Sequence, residues 1–466
     1  MKMKKVLSLI LTVATAFTVT ACSGEKTSSS SGNNSTVENT GNKVDDTLPQ
    51  CDPANLPDAY NFSRQCIMKG EVGYYYTSYV GIGEDQATKA ICYYDTATGK
   101  SIPLCSKPQC THDGNDFCVA TGGGAYHLYD SLAAMYNGYI YRLGSNAEET
   151  DVWTLSLLKA DLQGNELSRV ADICTAPLTD NTMITPEIRS AVFHYGKLFV
   201  AVSTLEKNWN TVLYVVDLAS GEVKEISLAT PEKGTTEWGI STCSYMTADG
   251  DWLYYVIRNC KFDNSNVQSE VHMTYNRTVM HRFNIKTGET QTISVLPDIY
   301  SSFSVADEVV YYTVADRREN TFSLYSYDIK ADKTTTFADK IQRKYIDGKY
   351  VDDEHKVTVV TDKKYLYVCT RGLEGYHSKN DETKELQDDI DFYIYSLDGK
   401  ELLHGLPGID MTLDDYSYGF SAIDGEIYLN FRDTDFTGED LTGLYKIKTE
   451  DLINGSTEWT KLYKAG

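Results

Sequence analysis

The sequence predicts an all-β chain folded as a seven-bladed β-propeller of four-stranded antiparallel blades, and three observations carry that expectation. Two short strings, each a pair of strand-like segments around a tight turn, alternate seven times each between residues 62 and 464. Tyr, an amphipathic residue that favours strands, is present 35 times against 14 Phe and 5 Trp. No linker-like stretch interrupts the alternation.

The first string is a turn followed by an aromatic-rich strand. It runs as Gly70 to Tyr75, Asn137 to Tyr141, Tyr195 to Phe199, Asp249 to Tyr254, Asp307 to Tyr311, Asp362 to Tyr367 and Asp424 to Tyr428. An alternating segment precedes most copies, as in Ala191-Val192-Phe193 and Phe303-Ser304-Val305, so each copy reads as a hairpin. The second string is strand, turn and strand: CYYDTATGKSIPL (92–104), LLKADLQGNELSRV (157–170), LYVVDLASGEVKEI (213–226), MHRFNIKTGETQTI (280–293), LYSYDIKADKTTTF (324–337), IYSLDGKELLHGL (394–406) and LYKIKTEDL (444–452), with a last strand over 458–464. Hairpin plus hairpin makes a four-stranded meander. The repeat averages about 59 residues, longer than the roughly 40–50 of tandem propeller families because its loops are longer. Two β-sandwiches would also use short, evenly spaced strands, but strict alternation without a linker favours one closed ring, which protects its strand edges. With blade one beginning near Asn61 and blade seven ending near Lys464, closure requires no exchanged strand.

In such a meander, with strands A to D, the A–B and C–D turns lie at one face and the B–C and D–A connections at the other. The long connections predicted here are B–C (80–89, 261–278, 372–390, 433–442) or D–A (106–130, 174–189, 228–241, 339–355, 407–418). Loops on a rigid scaffold commonly carry binding residues, so this face and the mouth of the central channel are where a site is expected.

Ahead of the repeats lies an address. Lys2, Lys4 and Lys5 precede an apolar stretch from Val6 to Val19, too short for a transmembrane helix. Val19-Thr20-Ala21-Cys22-Ser23-Gly24 then resembles a bacterial lipobox, which implies cleavage before Cys22 and lipidation of its thiol; plain secretory cleavage after Ala21 is the alternative. The organisation expected is a signal peptide (1–21), a lipidated Cys and Ser/Asn-rich tether (22–56) and the propeller (57–466). As a flexible coil the tether reaches on the order of 30 Å. A net charge of −23 argues against nucleic acid and acidic membrane surfaces as partners, since both would repel the chain.

Three Cys and a His fall within the D–A connection after blade one: Cys105, Cys110, His112 and Cys118. Soft thiolates and an imidazole suit tetrahedral zinc, although C-x4-C-x-H-x5-C is not a standard finger or ribbon spacing. Disulfide stapling is the ordinary alternative in an exported chain. Cys243 with Cys260, flanking one predicted hairpin, and Cys51 with Cys66, at the start of the domain, are further candidates for pairing. Acidic groups such as Asp433-x-Asp435 and Asp414-Asp415 lack the full ligand spacing of a calcium loop and read as solvated acids, so calcium is not expected. Trp209, Trp238, Tyr275, Tyr376, Tyr416 and Tyr418 are predicted on the loop face, where they could stack on sugars or peptides; Trp153 and Trp252 are predicted in or beside strands.

No HExxH, GxSxG, Walker A or dinucleotide glycine fingerprint occurs in the sequence. The lipobox, the Ser-rich tether, the DGxIYY-like and LYxYDxxTG-like strings and Pro103 to Cys118 together resemble a group of bacterial surface lipoproteins. Their propeller is similar to the YWTD-type propeller of low-density-lipoprotein receptors and to TolB-like propellers; YWTD itself is absent here, so receptor ligands are not carried over. The expectation is a membrane-anchored, outward-facing module that binds an extracellular protein or glycan without catalysis. The alternatives are a surface glycan-processing enzyme using loop carboxylates such as Asp414 and Asp435, and a structural component of an envelope complex.

Overall fold

The computed structural model describes residues 67–463 except 71–72, 84–85, 113–117, 123–126, 147–151, 178–186, 204–210, 229–238, 264–271, 297–302, 317–320, 343–356, 370–373, 377–391, 410–415, 424 and 434–442. Seven antiparallel sheets follow one another along the chain as the blades of a β-propeller. Blade one is β1 (Ile67–Lys69), β2 (Gly73–Gly83), β3 (Gln86–Asp95) and β4 (Lys100–Pro103); blade two is β5 (His127–Tyr136), β6 (Tyr139–Asn146), β7 (Val152–Asp161) and β8 (Leu167–Pro177). Blade three is β9 (Glu187–His194), β10 (Lys197–Ser203), β11 (Thr211–Asp217) and β12 (Val223–Ser227); blade four is β13 (Gly239–Asp249), β14 (Trp252–Asp263), β15 (His272–Asn284) and β16 (Thr290–Leu296). Blade five is β17 (Phe303–Ala306), β18 (Val309–Asp316), β19 (Thr321–Asp328) and β20 (Lys333–Gln342). In blade six, β21 (Thr358–Thr361), β22 (Tyr365–Cys369), β24 (Phe392–Ser396) and β25 (Glu401–His404) form the sheet, and β23 (Glu374–Tyr376) leaves it. Blade seven is β26 (Tyr416–Ile423), β27 (Glu426–Asp433), β28 (Gly443–Lys448) and β29 (Thr460–Tyr463), with a short helix α1 (Thr449–Ile453) before its last strand.

The tight A–B turns explain themselves in the sequence. Asn137-Gly138, Tyr195-Gly196 and Asp307-Glu308 each hold two successive residues at positive φ, the backbone of a type I′ hairpin whose twist matches its strands. The third residue of the following strand is Tyr75, Tyr141, Phe199, Tyr254, Tyr311, Tyr367 or Tyr428, so Tyr holds this position in six of the seven blades. Its ring is buried, and in several blades its hydroxyl reaches a carbonyl of the next blade. Tyr75 donates to the Leu162 carbonyl at 3.2 Å, Tyr141 to Leu218 at 3.4 Å and Tyr311 to Leu397 at 3.3 Å. Phe offers equal burial but no such bond.

First strands of successive blades pack against one another, so strand A is innermost. Side chains lace these inner strands: the Met246 amide donates to Ser190 Oγ and the Thr361 amide to Ser304 Oγ. Among the described residues, closure between blades seven and one uses no exchanged strand. Ile67, Tyr74, Tyr76, Cys92 and Tyr94 pack with Ile423, Tyr428, Leu444 and Leu462, and Lys446 Nζ donates to the Tyr74 hydroxyl at 3.3 Å.

Several connections are shorter than the sequence suggested. The segment 80–89 is a hairpin, with Gly83 paired to Gln86 across a bulge at Gly81. Strands β14 and β15 run on to Asp263 and back from His272, extending over most of 261–278. Their polar, alternating residues satisfy backbone groups by pairing with each other even where no apolar face announces a strand. The β23 strand has a separate cause. Arising between β22 and β24, it pairs with β26 at Glu374↔Gly419, Gly375↔Tyr418 and Tyr376↔Ser417, covering the free inner edge of blade seven.

Candidate metal centre

The sulfur atoms of Cys105, Cys110 and Cys118 and a ring nitrogen of His112 all lie within 4.8 Å of one another. The local fold brings them together by interrupting a strand. Strand β4 ends at Pro103 after four residues, leaving β3 partly unpaired on its outer side. The Ile91 carbonyl accepts the Leu104 amide at 2.8 Å, and the Ile91 amide is satisfied by the Ala120 carbonyl at 3.1 Å. The 118–122 turn thus takes the place that a longer outer strand would fill. Its side chains alternate between two blades: Cys118 and Ala120 pack on Ala90 of blade one, and Val119 packs on Leu158, Ala160 and Leu167 of blade two.

The other arm is fixed just as locally. The Ser106 amide donates to the Gly164 carbonyl in the β7–β8 turn of blade two at 2.9 Å. A Cβ at Gly164, which has a φ of +72°, would come within 2.6 Å of the Leu104 backbone, so only glycine lets the two turns approach. The Cys110 amide then turns back to the Lys107 carbonyl at 3.3 Å, and His112 adopts a φ of +57°. His112 Nδ1 lies 3.3 Å from Cys118 Sγ. A non-glycine residue held left-handed with its ring against a sulfur is the sort of strain that clusters at ligand sites.

Burial and hydrogen bonding divide the thiols. Cys118 is buried, while Cys105, Cys110 and His112 are half-buried. Burial raises the Cys105 thiol, but the Lys107 and Val119 amides and the thiols of Cys118 and Cys110 together hold it below its ordinary value. Burial, with the neighbouring Cys118 and Cys105 sulfurs, pushes Cys110 up to about 11, against the pull of a hydrogen bond from the His112 amide.

Under this turn lies Arg142 of β6, only 1 % exposed, donating to the Ala120 carbonyl at 2.9 Å. The sequence reading missed it. Its one signal was an Arg between the apolar Tyr141 and Leu143 of a strand otherwise destined for burial.

Cys243 and Cys260 are not cross-strand partners: Cys243 faces Ile257, Cys260 faces Ile240, and the Cys243 thiol is free and buried. Both flank one hairpin, but its tight turn pairs Asp249 with Trp252, and that register sets Cys243 opposite Ile257, three residues short of Cys260. Tyr275, Tyr376, Tyr416 and Tyr418, expected on loops, lie in strands, opposite Cys260, Ser417, Asp433 and Phe431 respectively. Three of them thereby gather where β23 meets β26. Trp153 is buried in β7 and Trp252 lies in β14 with Arg282 stacked 4.0 Å from its ring, as expected. Cys22, Cys51, Cys66, Trp209, Trp238, Asp414 and Asp435 lie outside the described residues.

No protein-family model matches the chain, and a comparison with curated proteins found no match. Among solved structures, it is similar to the β-propeller domain of the Trilobed protease from Pyrococcus furiosus, at 14 % identity and a TM-score of 0.43 over 85 % of this chain and 96 % of that one. It is also similar to an ulvan lyase from a family of polysaccharide lyases, at 11 % identity and a TM-score of 0.47 over 84 % of this chain and 93 % of that one. TolB from Acinetobacter baumannii shares 11 % identity, with a TM-score of 0.33 over 70 % of this chain and 69 % of that one. At these identities the likeness concerns fold alone.

Proposed function

We propose that this chain is a bacterial lipoprotein, tethered outside the cell membrane through Cys22, whose propeller is a non-enzymatic binding module for an extracellular protein or glycan. The observation that carries the reading is the asymmetry of the ring. At one face the A–B turns span two or three residues, as at 137–138, 195–196 and 307–308, while the strand ends Ser227 and Gly239, separated by eleven residues of sequence, lie at the other. Such an arrangement pairs a rigid scaffold with one variable surface. The sequence supports the anchor through its basic start, short apolar stretch, small residues before Cys22 and polar tether.

The test has two arms. In a bacterial host, the full chain should fractionate with membranes and incorporate labelled fatty acid, and Cys22→Ala should abolish both. On glycan and extracellular-protein arrays, the detergent-purified chain should bind a restricted set of ligands saturably and release no product from them. Cleavage of a bound glycan, read as new reducing or unsaturated ends, would replace the binding role with the enzymatic one.

A further inference from the structure

We propose that Cys105, Cys110, His112 and Cys118 hold one zinc ion in a closed, structural Cys₃His centre that ties the outer edge of blade one to blade two. This assignment stands independently of the binding role proposed above.

The geometry fits before any ion is added. Ligand atoms at the corners of a tetrahedron with arms of about 2.3 Å are separated by about 3.8 Å. The four donor atoms here all lie within 4.8 Å of one another, and closing them onto an ion needs only small side-chain rotations. The donor set is soft, with three thiolates and an imidazole, which selects zinc over magnesium or calcium. Four protein ligands complete the tetrahedron and leave no open position for water or substrate, so the centre is structural and not catalytic.

The surroundings supply what a zinc–thiolate centre requires. Amides of Lys107 and Val119 donate to the Cys105 sulfur, and the amide of His112 donates to that of Cys110. Such outer donors orient metal ligands and share the charge on their sulfurs. Binding releases the three thiol protons to solvent, and the resulting Zn(Cys)₃(His) unit carries a net charge of −1. The buried Arg142 guanidinium supports the same turn from beneath.

A disulfide accounts for less of this arrangement. It would use two of the three sulfurs and leave the third, with His112 and its left-handed backbone, unexplained. The segment also needs a tie, because Ser106 to Gln109 are exposed and, among the described residues, its aliphatic contribution is Leu104 with Val119 and Ala120.

The direct test is elemental analysis of the full chain, purified in detergent without reductant or chelator. It should show about one zinc per chain, and Cys105, Cys110 and Cys118 should resist alkylation until a chelator is added and then react. Replacing zinc with cobalt(II) should produce sulfur-to-cobalt charge-transfer absorption and the intense d–d bands of a tetrahedral site. Cys110→Ser should lose at least tenfold in zinc content, whereas Cys174→Ser, in blade two, should keep the wild-type content. Should Cys110→Ser fail to fold, the wild-type measurements still decide. A metal-free chain that takes up no zinc or cobalt, or one in which peptide mapping finds any two of the three cysteines joined in a disulfide, would overturn the assignment.

Discussion

The junction between blades two and three and the junction between blades one and two join similar sheets by different means. At the first, Leu155, Leu157, Ile173, Phe193, Leu198, Val200 and Val202 belong to one broad aliphatic cluster. Burial of this kind is worth about 1.5–3 kcal/mol per large side chain and needs no particular partner. At the second, the contiguous cluster is smaller: Met68, Tyr75, Ile91, Leu104, Ala133 and Ile140, with Tyr93, Met135 and Leu162 packed against it. Beside it sits the interrupted outer strand with its cluster of three Cys and one His. There, on the assignment proposed above, a metal cross-link adds to a smaller apolar contact. The contrast resembles that between large domains and small metal-stapled ones, here within one ring.

Breaking the aliphatic junction should give the largest effect. Leu157→Ala is expected to destabilise the chain by about 2–5 kcal/mol, the range for a buried Leu truncated in a packed core. The loss, read from chemical denaturation, should be the same with and without chelator. Arg142→Met comes next. It removes a charged hydrogen bond to a buried carbonyl and is expected to cost about 1.5–3 kcal/mol. Unlike the first variant it should also speed alkylation of Cys118, since the turn carrying that thiol loses its support.

Smaller still are the hydroxyls that bridge blades. Tyr75→Phe at the first junction of the ring, with its bond to Leu162 at 3.2 Å, is expected to cost about 1 kcal/mol. Tyr141→Phe, whose bond to Leu218 is 3.4 Å long and whose ring sits in the broad cluster, should cost less. Equal costs in denaturation would mean that the two junctions are more alike than their packing suggests.

The smallest effect lies on the far side of the aliphatic junction. Burial holds the His194 pKa below its ordinary value, outweighing the hydrogen bond from Nε2 to the Gly250 carbonyl at 2.7 Å. The folded state therefore keeps the ring neutral. As pH falls below about 6.5 the unfolded chain takes up the proton first, and stability is lost until the folded pKa is reached. Between pH 7 and pH 5 the wild-type Tm should fall more steeply than that of His194→Gln, and parallel profiles would remove His194 from the account.

The sequence carried the ring because its repeat is enforced locally. A tight turn and an aromatic residue at the third strand position recur at each blade, so every copy reports the same packing demand. It carried the Cys/His cluster for the opposite reason, since these are the residue types whose chemistry is visible without a fold. What it did not carry depends on register. The offset of Cys243 from Cys260 follows from which two residues close the turn, and the pairing of β23 with the neighbouring blade joins segments about 40 residues apart through three-residue contacts. Arg142 was hidden because its partner is a backbone carbonyl, which every residue possesses.

The central claim, that a metal ties one junction while apolar burial ties the next, is tested most directly by hydrogen exchange resolved along the full chain with and without chelator. Chelation is expected to raise exchange sharply in 89–122 and at the Arg142 and Gly164 segments that hold it, while amides of β9 to β11 remain protected. Unchanged exchange across 89–122, or an equal rise around the whole ring, would contradict it.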